Sequence, residues 1–213
     1  MAKTPMPLKS SVIFLILLVI FYWFSYIYLD QTIAYYLNQQ IAHTSKIYQF
    51  SQWLDNLFDP KHWAMLMILI FIYYAWLFIR NKPRTQQSRW LIIALSLFVA
   101  LAIGAILKYT LARYRPEMLF NHNLYGFHFF SMKKVFNSTP SGHALANFAG
   151  LLSLAYLSRK SFFIILACII ATIICISRLI VNDHFLSDIV FGAYIGIFSF
   201  LWVKWFIINR YIK

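Results

Sequence analysis

Residues 162–188 read FFIILACIIATIICISRLIVNDHFLSD. From Phe162 to Ile176 the stretch carries no charge and one lone hydroxyl, Thr172. An apolar helix needs about 20 residues to cross a bilayer, and this run, placed at 162–180, reaches that length with its flanks. Then the character changes abruptly: Ser177, Arg178, His184 and Asp188 follow in quick succession before a second apolar run begins. Ionisable groups at membrane depth are costly and usually functional. The stretch therefore reads as a spanning helix whose end carries chemistry.

Working outward, five further runs have similar length and character, giving spans at 12–29, 62–80, 90–108, 141–158, 162–180 and 188–207. The composition agrees. Of 213 residues 62% are hydrophobic, 20% aromatic and only 12% charged, whereas a soluble domain is about a quarter charged. The expected fold is an all-α integral membrane protein, a single domain over residues 1–213 with six transmembrane helices. The first run follows Lys3 and Lys9 but is long for a signal peptide and lacks a small-x-small cleavage site, so it reads as a retained span.

The net charge of +13 does not point to nucleic acid, because the basic residues cluster between apolar runs rather than in a stripe or tail. They set orientation instead. Lys3, Lys9, the loop with Arg80, Lys82, Arg84 and Arg89, the turn Arg159-Lys160, and Lys204, Arg210 and Lys213 all fall on one side. The six acids, Asp30, Asp55, Asp59, Glu117, Asp183 and Asp188, all fall on the other. The positive-inside rule makes the acid-free side cytoplasmic, with both termini inside. Cys168 and Cys175 lie in one helix roughly 10 Å apart, too far for a disulfide, and no His, Cys and Asp spacing suggests a metal ligand set. Residues 31–60 carry Ile33, Leu37 and Ile41, then Ile47, Phe50, Leu54 and Leu57, at helical spacing. They read as one or two amphipathic helices, lying in the membrane interface or packed on the spans as a lid.

Parity brings the loop between spans three and four and the loop between spans five and six to the same, outer face. Three motifs lie there. Lys108 and Arg115 are about two helical turns apart and share a face if the third span continues past Lys108; Pro116 then limits it. Pro140-Ser141-Gly142-His143 opens the fourth span, where free amides and the helix dipole suit a phosphate. Ser141 can cap the helix or donate to an oxyanion, and glycine permits close approach. In the third motif Asp188 follows His184 at i+4, where a carboxylate can fix the tautomer of an imidazole. Arg178 offers a fork that matches phosphate oxygens.

K-x6-RP, PSGH and SR-x5-H-x3-D, in this order, resemble the signature of the type 2 phosphatidic acid phosphatase superfamily, and every fixed position of it is present. The resemblance implies a metal-independent lipid phosphatase with no cofactor and a phosphohistidine intermediate. It implies His184 as nucleophile, Asp188 as the group that orients it and His143 as general acid. Lys108, Arg115, Ser141, Gly142 and Arg178 would hold the phosphate. A lipid-to-lipid phosphotransferase would use the same residues, and a non-catalytic lipid binder or transporter could share the scaffold. Thr139 stands where many relatives have an aromatic residue, which is expected to alter the headgroup pocket. Asn137-Ser138-Thr139 forms a glycosylation sequon disfavoured by the following proline, which fits a bacterial protein.

The expected partners are the bilayer and a lipid phosphate: undecaprenyl diphosphate, phosphatidylglycerol phosphate, phosphatidic acid or a lipid A phosphate. The expected location is a bacterial inner membrane with the site on the periplasmic face. The loop 117–139, with Tyr125-Gly126-Phe127, Phe129-Phe130 and Lys133-Lys134, is expected to choose the headgroup.

Overall fold

The computed structural model describes residues 8–211. Lys3 and Lys213, which the orientation reading also uses, lie outside the described residues. The first apolar run forms α1 (Leu8–Phe24), passes through a π-helical turn (Ser25–Leu29) and continues into α2 (Asp30–Gln40). The π turn brings buried Ser25 close enough to donate to Asp30 Oδ1 at 2.8 Å. Next come α3 (Lys46–Leu57), capped by Ser45, and α4 (Pro60–Ile79), which starts with Asp59 as its cap and proline in its first turn. Then follow α5 (Arg84–Leu111), α6 (Pro116–His122), α7 (Gly142–Leu157), α8 (Ser161–Ile180) and α9 (Leu186–Tyr211). The described residues hold no β-strand, only an isolated antiparallel bridge between Arg113 and Phe127.

Five helical stretches are long and apolar enough to cross a membrane: Leu8–Gln40, Lys46–Ile79, Arg84–Leu111, Ser161–Ile180 and Leu186–Arg210. The stretch expected as a fourth span is the shorter helix α7, 16 residues long. At 1.5 Å per residue it covers about 24 Å, less than the roughly 30 Å of a bilayer core. It has no need to match that thickness, because α4, α5, α8 and α9 all pack around it. Most of its residues are buried, including Ala144, Ala146 and Ala149 at full burial. Small residues permit this close approach. A Cβ added to Gly192 of α9 would lie 2.6 Å from the Ser141 carbonyl oxygen, and one on Gly196 would lie 2.5 Å from that of Leu145. Gly150 of α7 likewise makes room for the Trp63 ring.

The segment 31–60 is helical, as its periodicity suggested. In α3, Leu54 and Asp55 turn inward while Ile47, Phe50, Trp53 and Leu57 are exposed. The helix packs along α8 and presents an apolar outer face. It is thus both docked on the bundle and amphipathic.

Candidate active site

A cavity opens at the end of the bundle where α4, α7 and α9 begin and α5 and α8 finish. Lys108, Arg115, Gly142, His143, Arg178 and His184 all line it, together with Asp55, Asp183, Asn137 and a face of α3. Its volume is about 690 Å³, within the range of small-molecule sites. Six of the eight residues singled out by the motifs therefore surround one space. The other two, Ser141 and Asp188, are fully buried behind it.

Each motif reaches the cavity by a different local device. Helix α5 ends at Leu111, and Ala112 turns left-handed with φ 42°. The helix thus runs past Lys108 but stops short of Arg115, so the condition for the two to share one helical face is not met. The chain leaves the helix, pairs Tyr114 N with Gly126 O and Arg115 N with Val135 O, and returns Arg115 to the site as the cap of α6. The reason lies in Pro116, which disfavours helical backbone at Arg115. Lys108 Nζ donates to the Asn137 carbonyl at 2.8 Å, and Arg115 Nη2 donates to Asn137 Oδ1 at 2.9 Å. The sequon asparagine is therefore built into the cavity wall.

Ser141 caps α7 by accepting from Ala144 N, and its own N–H donates to the Asp188 carbonyl at 3.0 Å. Its hydroxyl faces the helix start rather than the cavity, so of its two expected roles the structure has the cap. Gly142 faces the cavity, with the Lys108 side chain beside it. His143 Nε2 lies 3.1 Å from the Asp55 carbonyl oxygen. A carbonyl only accepts, so Nε2 carries the proton and Nδ1 is left for exchange. Asn147, one turn on, bonds the His143 carbonyl, the Phe58 carbonyl and Trp63 Nε1, which ties this turn of α7 to the α3–α4 corner.

His184 Nδ1 is buried and lies 3.9 Å from Asp188 Oδ2. That is longer than a hydrogen bond; the pair is close and not yet engaged. The same Asp188 oxygen accepts from Ser138 Oγ at 2.6 Å and Phe185 N at 2.9 Å. With Nδ1 on the protein side, Nε2 is the nitrogen left for the cavity. Burial pushes the His184 imidazole down to about 3, and Arg115, Lys108 and Arg178 push the same way against the Asp188 carboxylate. The ring is therefore neutral, with a free lone pair, near neutral pH.

Four residues outside the motifs complete the arrangement. Arg113 is fully buried and holds Asp188 at 2.6 Å and Asp30 at 2.8 Å. Burial lowers and Asp188 raises the guanidinium affinity for its proton, and with Tyr22 and Asp30 the net shift is upward. Asp30 also accepts from Ser187 N at 3.0 Å, so it braces the start of α9. Asp55 pairs with Arg178 and accepts from Ser177 Oγ at 2.9 Å. Asp183 pairs with Arg178 and, at 3.3 Å, with Arg115. Burial raises the Asp183 carboxyl, but Arg178, His184 and Arg115 together hold it below its ordinary value. The Nε–H groups of Arg115 and Arg178 are buried without an acceptor among the described residues. Buried donors are normally satisfied, and the oxygens of a phosphate would satisfy these.

Two expectations about the loop 117–139 are corrected. Of its residues only Lys134 and Asn137 line the cavity. Tyr125 and Phe127 stack with Tyr26 and surround Arg113, while Phe129 and Phe130 project outward. Thr139 does not shape a headgroup pocket either. It is fully buried, and its hydroxyl donates to Asp188 Oδ1. Among the described residues no group of three or more His, Cys, Asp or Glu is placed to hold a metal ion.

Residues 89–212 match the family model described as the PAP2 superfamily. This chain belongs to the PAP2 superfamily. The matched region runs from the start of α5 to the end of α9 and contains all three motifs. The fold of this PAP2 protein is also similar to a crystal structure described as the first transmembrane PAP2 type phosphatidylglycerolphosphate phosphatase from Bacillus subtilis. The TM-score is 0.60 at 17% identity, over 92% of this chain and 94% of that one. At that identity the likeness is one of fold. A comparison with curated protein sequences found no match. The chain is thus a multi-pass membrane phosphatase of the PAP2 superfamily.

Proposed function

We propose that this PAP2 protein hydrolyses a lipid phosphate at the outer face of a bacterial inner membrane through a phosphohistidine on His184. The observation that carries the reading is the convergence of a neutral His184, backed by Asp188, with Lys108, Arg115 and Arg178 around one cavity opposite His143.

In the first step His184 Nε2 attacks phosphorus and the bond to the lipid oxygen breaks. A positive imidazolium develops as the N–P bond forms, and Asp188, held by Arg113, Ser138 and Thr139, stabilises it. His143, which takes up a second proton on Nδ1 as the phosphate enters, gives that proton to the leaving oxygen while Nε2 keeps its bond to the Asp55 carbonyl. In the second step His143 takes a proton from water, water attacks phosphorus, and inorganic phosphate leaves with His184 neutral again. Lys108, the two guanidinium groups and the Gly142 amide neutralise the equatorial oxygens throughout, which is the main demand of phosphoryl transfer. The candidate lipids are undecaprenyl diphosphate, phosphatidylglycerol phosphate, phosphatidic acid and lipid A phosphates.

The test is phosphate release by purified protein in detergent, with a chelator present, from a panel of those lipids. Turnover is expected in chelator, and His184→Ala is expected to remove it by at least about a thousandfold, the scale of losing a nucleophile. An absolute requirement for added metal, or full activity of His184→Ala, sinks the mechanism. Phosphate appearing on a second lipid instead of in solution would make the protein a phosphotransferase.

A further inference from the structure

The cavity extends beyond the phosphate-binding groups along one face of α3. Tyr48, Gln52 and Asn56 follow one another at four-residue spacing and all line it, as residues on one helix face must. Gln52 and Asn56 are exposed, and Tyr48 is half-buried. None of the three side chains makes a hydrogen bond to another described residue, whereas nearly every other polar side chain around the cavity does. The opposite face of α3 carries Phe50 and Trp53, both exposed and apolar. The helix thus turns its unspent hydrogen-bonding groups to the cavity and its apolar groups away from it.

The charge on this wall is the second observation. The side of the cavity formed by α3 and the start of α4 is lined by no cation, and its two carboxylates, Asp55 and Asp59, are already paired with Arg178 and Lys61. Lys108, Arg115 and Arg178 come from the other elements. His143 sits on the α3 side, held by the Asp55 carbonyl. In the proposed mechanism His143 protonates the leaving oxygen, so the leaving group lies against α3. A wall of amides, a phenol and carboxylates suits hydroxyl groups, to which it can both donate and accept. It supplies no cation to neutralise a second phosphoryl group placed directly on the leaving oxygen.

We infer that Tyr48, Gln52 and Asn56 form a subsite for the alcohol half of the substrate, which selects a lipid phosphomonoester whose phosphorylated carbon skeleton, glycerol or sugar, bears free hydroxyls, over a lipid diphosphate. The inference rests on the phosphatase reading above and narrows its substrate.

The experiment compares kcat/KM for the full chain in mixed micelles on four probes. Phosphatidylglycerol phosphate and a saccharolipid phosphate carry hydroxyls beside the phosphate. Phosphatidic acid has none, and undecaprenyl diphosphate places a phosphoryl group on the leaving oxygen. The first or second probe is expected to be preferred, and which one separates the glycerol from the sugar source. Gln52→Leu and Asn56→Leu are each expected to narrow the preference over phosphatidic acid by about threefold to tenfold, mainly through KM, the scale of one lost hydrogen bond. Preference for the diphosphate in the unaltered chain overturns the inference, as does an unchanged preference in both variants. Phosphate release from none of the four overturns the phosphatase reading itself, whereas turnover without the predicted selectivity overturns only the α3 subsite.

Discussion

At the residue scale the arginines of the site are already paired with its own carboxylates. Asp183 bridges Arg178 and Arg115, yet its side chain is 43% exposed, unlike the 5% and 11% of those arginines. A phosphate dianion needs the same guanidinium donors, so the Asp183 carboxylate has to move aside when substrate binds and can return when product leaves. Asp183→Asn keeps the shape and removes the competing charge. Inorganic phosphate is then expected to inhibit several-fold more tightly, since charge-assisted bonds to Arg are stronger than neutral ones. A phosphate inhibition constant that rises in this variant would instead make Asp183 a support for the arginines. His184 and Asp188 were legible because they share one turn of chain. Asp183 counts among the acids of the outer side, but its pairing is not legible, because the motifs assign its partners Arg115 and Arg178 to the phosphate. Arg113 was missed for another reason: its carboxylate partners lie 83 and 75 residues away in the chain. The available signal was Asp30, an ionisable residue at the end of an apolar run, where a partner is to be expected.

At the scale of elements, the packing of α9 on α7 sets the distance between the two histidine motifs. Asp188 and Gly192 are one turn apart on α9, and Gly192 lies against the first turn of α7 just before His143. Gly192→Ala places a methyl only 2.6 Å from the Ser141 carbonyl oxygen. That neighbour is backbone and cannot rotate away, so α9 must shift from the start of α7. Misplacement of reacting groups by about 1 Å can lower rates roughly a hundredfold. Gly192→Ala is therefore expected to lose about tenfold or more in kcat while retaining a cooperative thermal transition in detergent. Gly196→Ala, one turn farther from the site, is expected to lower the transition temperature with a smaller effect on kcat. Equal kcat for Gly192→Ala and the unaltered chain would remove α9 spacing from the account. Most of these helices were visible as apolar runs, and the expected boundaries of the second, fifth and sixth spans fall within a few residues of α4, α8 and α9. The fourth run, 141–158, matches α7 within a residue at each end; its enclosure was not legible, because apolar character alone does not distinguish a helix facing lipid from one enclosed by other helices.

At the scale of the molecule, the proposed direction of the site across the membrane rests on charge. The described acids lie at the site end, where Asp30, Asp55, Asp183 and Asp188 are all engaged by Arg113, Arg178 or Arg115. The opposite end carries the loop from Arg80 to Arg84, the turn Arg159-Lys160 and the last turn of α9 with Arg210. Lysine and arginine loops of this kind resist translocation, and on that ground the proposal keeps the far end inside and opens the cavity outside. Glu117 on α6 and Lys160 in the far turn are both exposed and belong to neither catalytic group nor core. A chain with Cys168 and Cys175 replaced by alanine and a single cysteine at one of these two positions can report the direction. In intact cells with a permeabilised outer envelope, a membrane-impermeant maleimide is expected to label Glu117→Cys directly. Lys160→Cys is expected to be labelled only after the membrane is opened. The reverse pattern would place the cavity in the cytoplasm, and the lipid phosphate would then have to be drawn from the inner leaflet. The motifs, the helices and the chemistry would stand unchanged in that case, because nothing in the arrangement of Lys108, His143 and His184 depends on which side of the membrane they face.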